Sequence, residues 1–226
     1  MTRRSFAVIG LGRFGSAMAT TLVELGQDVL GIDTDPEKVR RLSDVIPHVL
    51  ELDATDERAL RAAGLKDVDV AVISIGENVE SSLLVVMVVK DLGIKTVIAK
   101  AATALHGRIL EKIGVSRVIF PEREMAIRVA HSIVVPNVID YIELSRDFSI
   151  VELPAPQAFI GRTARDVDLR SRYGLTLIAL KRRVPGTDRD ATRVVPGADD
   201  RIEAGDVLVL LGTNERLARL DGLLPA

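Results

Sequence analysis

Glycine spacing near the N-terminus predicts a loop that binds phosphate. Gly10, Gly12 and Gly15 form the pattern Gly-x-Gly-x-x-Gly, after an apolar run typical of a strand and before a segment typical of a helix. The first glycine permits a tight turn, the second lets a phosphate approach the backbone, and the third lets the helix pack closely on the strand. Amides at the start of the helix then bind the anion.

An acidic residue follows at the distance expected for a ribose contact. Asp33 ends the next apolar run and follows Gly12 by about 20 residues, the spacing of a carboxylate that accepts hydrogen bonds from ribose hydroxyls. Strand, glycine loop, helix and acid together favour nucleotide binding over a purely structural turn.

Arg13 and Phe14 separate the second and third glycines. A guanidinium at this position stands beside the bound phosphates and can pair with a terminal phosphate through two hydrogen bonds. A dinucleotide has no terminal phosphate at this position, so Arg13 favours a ligand that has one, such as a mononucleotide. The alternative is a solvated arginine at the start of a helix.

Further candidates follow the later strands, where ligands of open α/β sheets bind. These residues are Asp53 and Ala54, then Ile75, Gly76 and Glu77, then Lys100, Ala101 and Ala102. Asp53 has the alternative role of a helix cap, and Lys100 that of a solvated strand end.

His106 and Glu122 are weaker candidates on sequence alone. A lone histidine near a helix start, such as His106, is more often a surface or packing residue. Glu122 follows Phe120-Pro121. It can bind a cation shared with phosphate oxygens, or favour a helix N-terminus through the helix dipole, and its position does not separate the two.

The elements that must position these residues alternate between short apolar runs and longer segments of helical period. This order is typical of an α/β fold, a Rossmann-type six-stranded parallel sheet with helices on both faces. The predicted strands are residues 6–10, 29–33, 48–52, 70–74, 96–100 and 117–120. The apolar helix predicted over 81–92 needs partners on more than one side.

We expect two domains joined by a short connection. Residues 1–135 form the nucleotide-binding domain, 136–147 a hinge without clear sheet periodicity, and 148–226 a small α+β lobe. The lobe has predicted strands at 149–153, 175–182 and 207–212, a short helix from Thr163 and a closing helix after Asn214. A hydrophilic loop over 183–201 contains a short strand at 193–195.

Composition narrows the partners and the compartment. The chain has 226 residues, no cysteine and a net charge of -2, which excludes disulfides and thiolate sites and gives no electrostatic reason to expect nucleic acid or an anionic membrane surface. No apolar run approaches the roughly 20 residues of a spanning helix, and no signal peptide is evident. A cytoplasmic protein is expected.

A set of catalytic residues is not evident. Hydride transfer needs an acid or base near the nicotinamide and a group that holds the substrate. All three histidines, however, lie in the first domain. We therefore expect a ligand-sensing module and not an enzyme, with an NAD(H)-binding redox sensor or NAD-dependent oxidoreductase as the alternative.

Some longer segments identify a protein family more specifically than the glycine loop does. The most specific are Phe-Pro-Glu-Arg at 120–123 and Pro-Asn-Val-Ile-Asp-Tyr at 136–141. With these, the chain resembles the cytosolic regulatory subunits of Ktr- and Trk-type bacterial potassium uptake channels, which consist of an RCK (TrkA-N) nucleotide domain and an RCK C-terminal (TrkA-C) domain. The other matching segments are 8–16, 53–56, 97–101, 105–107 and 112–114 and, more loosely, 160–163 and 205–212.

The resemblance implies a homodimer that assembles into an octameric gating ring under a potassium-transporter membrane subunit. The ring would be peripheral at the inner face of the membrane and would switch between ATP and ADP. In that family the counterpart of Arg13 meets the terminal phosphate, that of Asp33 the ribose, and that of Glu122 places a divalent or sodium cation near the ATP γ-phosphate. The resemblance also assigns to the nucleotide site Thr34, Asp35, Asp53, Ala54, Ile75, Gly76, Glu77, Lys100, Ala101, Ala102 and His106. The C-terminal lobe of some members binds cyclic di-AMP.

Overall fold

The computed structural model describes residues 3–76, 78–134, 138–183 and 190–220. The chain divides into two compact units, Met1–Glu122 and Arg123–Ala226. The boundary expected at residue 135 stays a prediction. In the described ranges, no helix combines the length and the apolar character needed to cross a membrane.

The first unit is built on a six-stranded parallel sheet in the order β3-β2-β1-β4-β5-β6. This confirms the predicted fold class. The order reverses between β1 and β4, and ligands of open sheets bind beyond the carboxyl ends of the strands at such a point. The strands are β1 Ser5–Ile9, β2 Asp28–Asp33, β3 His48–Glu51, β4 Val70–Ile73, β5 Thr96–Lys100 and β6 Arg117–Ile119.

Apolar side chains fill both faces of this sheet, because successive residues of a strand point to opposite faces. In β1, Ala7 and Ile9 belong to one buried cluster and Val8 to another. Ala71 and Val72 of β4 divide in the same way. The helices that cover the faces are α1 Arg13–Glu24, α2 Pro36–Leu42, α3 Glu57–Ala62, α4 Val79–Asp91 and α5 Ala104–Ile113. A 3-10 turn spans Leu65–Asp67, and α6 Pro121–Val134 follows β6.

Helix α4 is the helix predicted to be apolar on all sides. Val85, Val86 and Val89 are buried in the core of the unit. Leu84 and Met87, on the remaining surface of the helix, are 45% and 50% exposed. The described part of the chain therefore covers only part of this helix.

The C-terminal unit contains a five-stranded antiparallel sheet in the order β10-β9-β11-β8-β7. Its strands are β7 Asp140–Glu143, β8 Phe148–Pro154, β9 Thr176–Arg183, β10 Asp190–Val194 and β11 Val207–Thr213. Its helices are α7 Ala164–Val167, α8 Leu169–Tyr173 and α9 Asn214–Ala218, with a 3-10 turn over Gln157–Phe159.

Strand β7 corrects the prediction that residues 136–147 lack sheet structure. It pairs with β8, but it has only four residues, and of these Tyr141 is buried and Ile142 is exposed. So short an alternation gives no clear period in the sequence. Of the strand expected at 193–195, residues 193 and 194 are the end of the longer β10, which pairs with β9, and Val195 lies just beyond it.

The C-terminal unit is also held by a buried carboxylate. Asp206 is fully buried and accepts hydrogen bonds from Arg182 Nε at 2.7 Å, Arg182 Nη2 at 2.9 Å and the Glu203 amide at 2.8 Å. Burial by itself raises the pKa of Asp206, but the Arg182 and Glu203 hydrogen bonds outweigh it and hold that pKa below its usual value.

We predict that Asp206→Asn lowers the free energy of unfolding by about 1–3 kcal/mol at pH 7, because it weakens charge-assisted hydrogen bonds to a buried group. The folded-state pKa is depressed, so the contribution of the carboxylate is complete above the unfolded pKa of about 4 and declines as pH falls through the folded-state value. Urea unfolding at pH 7 and pH 3 checks this. The exposed Asp199, which pairs with Arg165 at 3.3 Å, provides the control Asp199→Asn. The prediction is contradicted if both variants lose the same free energy of unfolding, or if the difference between Asp206→Asn and the wild type is as large at pH 3 as at pH 7.

Candidate functional site

The glycine loop joins β1 to α1 as the spacing predicts. Gly10 has φ +92°, and a Cβ there would lie 3.0 Å from the carbonyl carbon of Ser74. A Cβ on Gly15 would collide with the Gly10 oxygen, whereas one on Gly12 would meet no atom within 4 Å. Gly10 and Gly15 therefore serve the turn and the close helix packing, while the space over Gly12 is open to a ligand.

The start of α1 differs from the starts of the other helices around the sheet. Its N-cap is Gly12, which supplies no side-chain hydrogen bond. Helices α2 to α5 begin instead with side-chain caps from Asp35, Asp56, Asn78 and Thr103. The first amides of a helix have no partner within the helix, so an uncapped start favours an anion.

Asp33 connects the end of β2 to the glycine loop. Its carboxylate accepts hydrogen bonds from the Leu11 amide at 2.6 Å and from the Asp35 amide at 2.9 Å, and the residue is only 8% exposed. Lys38 Nζ lies 3.4 Å and 3.5 Å from its two oxygens. The predicted ribose acceptor thus lies directly beside the predicted phosphate loop.

Lys100 and Glu122 meet at the ends of β5 and β6. Lys100 Nζ lies 2.5 Å from Glu122 Oε1, and a Cβ on Gly76 would lie 3.2 Å from the same nitrogen. The Lys100 hydrogen bond lowers the pKa of Glu122, and the charges of Lys100 and Arg13 lower it further. The fold therefore brings together Arg13, Gly76, Lys100 and Glu122, four candidates from separate parts of the sequence.

Glu122 is the residue predicted to hold a cation. It is 70% exposed, whereas Lys100 is 15% exposed. Among the described residues, no group of three or more potential ligands could hold a metal ion. A single exposed carboxylate fits a cation that takes its other ligands from phosphate oxygens and water, as Mg²⁺ commonly does.

Asp53 does not cap a helix, which corrects that alternative. Its carboxylate binds the Thr55 amide at 2.9 Å and the Thr55 hydroxyl at 2.7 Å, and these hydrogen bonds lower its pKa. Asp56 provides the cap of α3 instead, through the amides of Arg58 and Ala59. Ala54, which follows Asp53 in this loop, is buried.

His106 is a buried residue of the first turn of α5, only 1% exposed. Its Nδ1 accepts a hydrogen bond from the Ala102 amide at 3.2 Å, while Nε2 has no hydrogen-bond partner among the described residues. Burial lowers the pKa of this imidazole. A neutral ring with an N–H at Nε2 fits these contacts, and it holds the turn after Lys100 in place.

The other predicted site residues occupy the same edge of the sheet with different exposure. Thr34 and Ala102 are exposed, Phe14, Asp35 and Ile75 are half-buried, and Ala101 is buried. Glu77 lies outside the described residues. Lys38 was not predicted from the sequence; its position in the first turn of the helix after Asp33 was the signal that could have found it.

Comparisons with known proteins assign the family. The TrkA-N domain model matches residues 6–121, and the TrkA-C domain model matches residues 148–224. The chain is 38% identical to Ktr system potassium uptake protein C of Bacillus subtilis (strain 168) over 97% of this chain and 96% of that protein. It is 34% identical to Ktr system potassium uptake protein A of the same organism, over 96% of each. The chain belongs to the family of TrkA-N and TrkA-C domain proteins that includes the Ktr potassium uptake proteins.

Solved structures share the fold. The GsuK RCK domain aligns with all of this chain at TM-score 0.66 and 20% identity, and the GsuK channel bound to NAD does so at 0.63 and 19%. This chain spans 48% and 40% of those two chains.

Substitutions of Gly15 and Gly12 distinguish a glycine that the fold requires from one that only borders open space. We predict that Gly15→Ala lowers the free energy of unfolding by about 3 kcal/mol or more, because its Cβ collides with the Gly10 backbone and neither can move without opening the turn. Gly12→Ala should change stability little, because no protein atom occupies that space. Thermal and urea unfolding of both variants check this. Equal stability of the two variants would contradict the assigned roles.

Proposed function

We propose that this protein is the cytosolic regulatory, gating-ring subunit of a Ktr-type potassium uptake system and that it switches with ATP and ADP. Its membership of the family and the names of its relatives support the potassium-uptake role. The observation that most supports the nucleotide switch is the position of Glu122. Its carboxylate pairs with Lys100, and the positive charge of Arg13, in the glycine loop, lowers its pKa. The proposed role is regulatory and involves no catalytic step.

In this proposal the phosphates bind over Gly12 and the uncapped start of α1. Arg13 and Lys100 supply positive charge for the terminal phosphate, which is the part that ATP has and ADP lacks. Charge-assisted hydrogen bonds are stronger than neutral ones and suit Arg–phosphate recognition. Asp33 accepts hydrogen bonds from the ribose, and the loops after β3, β4 and β5 form the remaining walls of the site.

A ligand shifts a conformational equilibrium only by its difference in affinity for the two states. Contacts made solely to the γ-phosphate, directly or through a cation at Glu122, provide such a difference between ATP and ADP. Lys100 is paired with Glu122. A γ-phosphate that attracts Lys100 would free this carboxylate for a divalent or sodium cation. The two nucleotides would therefore favour two shapes of the assembly.

We further propose that homodimers assemble into an octameric ring. The exposed Leu84 and Met87 of α4 suit contacts between subunits, because a surface that is apolar on a single chain is commonly buried in an assembly. The ring would associate with the membrane only through a potassium-transporter subunit. Cyclic di-AMP at the C-terminal lobe would be a second signal.

A second candidate function is NAD(H) sensing on the same fold. Asp33 favours it, because a carboxylate at the end of β2 suits the ribose of a dinucleotide equally well. The GsuK channel bound to NAD has a similar fold, although fold alone does not establish a ligand. The position of Arg13 favours the mononucleotide.

We predict that Arg13→Ala weakens ATP binding roughly 10- to 100-fold, the loss of a charge-assisted contact, and weakens ADP binding much less. Isothermal titration calorimetry of each nucleotide with the full chain measures this. Arg117 begins β6 at the opposite edge of the sheet, so Arg117→Ala is the matched control and should leave both affinities unchanged. An unchanged ratio of ATP to ADP affinity in Arg13→Ala would refute the terminal-phosphate role.

A further inference from the structure

Lys38 is a cation placed over the predicted ribose acceptor. It lies in the first turn of α2, and its Nζ is 3.4 Å and 3.5 Å from the two oxygens of Asp33 and 3.6 Å from Asp35 Oδ2. Its side chain is 36% exposed, whereas that of Asp33 is 8% exposed. The lysine therefore approaches a mostly buried carboxylate from its solvent side.

The lengths of these contacts show that the ammonium is not fully bonded to either acid. An ammonium–carboxylate hydrogen bond is normally about 2.7–2.9 Å long, and all three contacts are longer. The Leu11 and Asp35 amides already bind one Asp33 oxygen each, at 2.6 Å and 2.9 Å. A carboxylate has about four acceptor positions, so Asp33 keeps acceptor capacity and Lys38 keeps donor capacity on the same open side.

We propose that Lys38 and Asp33 together form a reader of the ribose diol, in which each hydroxyl donates to Asp33 and accepts from Lys38. A hydroxyl carries one proton and two lone pairs, so it can satisfy both partners at once. The amides of Leu11 and Asp35 hold the carboxylate, and Asp35 steadies the lysine. This inference rests on the proposed nucleotide site and assigns to it a specificity residue.

Selectivity against a deoxyribose follows from the pair. A 2′-deoxynucleotide lacks the hydroxyl that would donate to Asp33 and accept from Lys38, so both of these hydrogen bonds are lost with it. If Asp33 acted without Lys38, loss of the 2′-hydroxyl would remove only the hydrogen bond to Asp33. The preference for ATP over 2′-deoxy-ATP should therefore depend on Lys38.

The test measures binding of ATP and of 2′-deoxy-ATP to the full chain by isothermal titration calorimetry. Lys38→Met keeps the length and apolar character of the side chain but removes its charge. We expect this variant to weaken ATP binding roughly tenfold, the equivalent of one charge-assisted hydrogen bond. It should weaken 2′-deoxy-ATP binding clearly less, so that the preference for ribose shrinks.

Arg41 lies in the same helix and is exposed, so Arg41→Met removes one positive charge without touching the pair. It should preserve both affinities. A uniform loss of both nucleotides in Lys38→Met overturns the diol reader, because general electrostatics or a displaced Asp33 would act on both alike. Tighter ATP binding also overturns it, because Lys38 would then compete with the ribose.

The wild-type chain separates this inference from the proposed function. If it binds ATP but Lys38→Met retains the full ribose preference, only the diol reader fails. If it binds neither ATP nor ADP, the proposed function fails and the diol reader fails with it. Thermal unfolding of both variants, expected near the wild-type midpoint, confirms that the changes in affinity do not arise from unfolding.

Discussion

The close approach of α1 to the end of β1 is the constraint on which the site depends. With glycine at position 15, the helix backbone packs against the Gly10 carbonyl, at a distance that no side chain would permit. The helix consequently begins directly at the carboxyl edge of the sheet, with an uncapped N-terminus. In the same turn the Leu11 amide donates to Asp33, so the proposed phosphate and ribose positions are linked through one short loop.

Two ion pairs, each made of one lysine and one carboxylate, lie around this loop. Lys100 with Glu122 lies on the side of β5 and β6, and Lys38 with Asp33 lies on the side of β2. Within each pair the two charges offset one another, which limits the cost of holding them near a partly desolvated surface. A nucleotide would exchange contacts within these pairs for contacts with its phosphates and its ribose.

The sequence predicts the parallel sheet, the glycine loop and the position of Asp33, because periodicity and spacing are local signals. It did not predict that Lys100 and Glu122 would pair, since this requires the adjacency of β5 and β6. Lys38 was missed because its contact with Asp33 depends on how the start of α2 folds against the end of β2, and its place in the first turn of that helix was only a weak signal. Strand β7 was missed because four residues give too short an alternation. Asp53 resembled a helix cap because an aspartate just before a helical segment commonly has that role.

The proposed site distinguishes nucleotides by their terminal phosphate. The proposal is tested most simply by comparing the affinities of this chain for ATP, ADP, AMP and NADH under one set of conditions. We expect ATP and ADP to bind with clearly different affinities and both to bind more tightly than AMP and NADH. A preference for NADH, or equal affinities for ATP and ADP, would contradict recognition through the terminal phosphate.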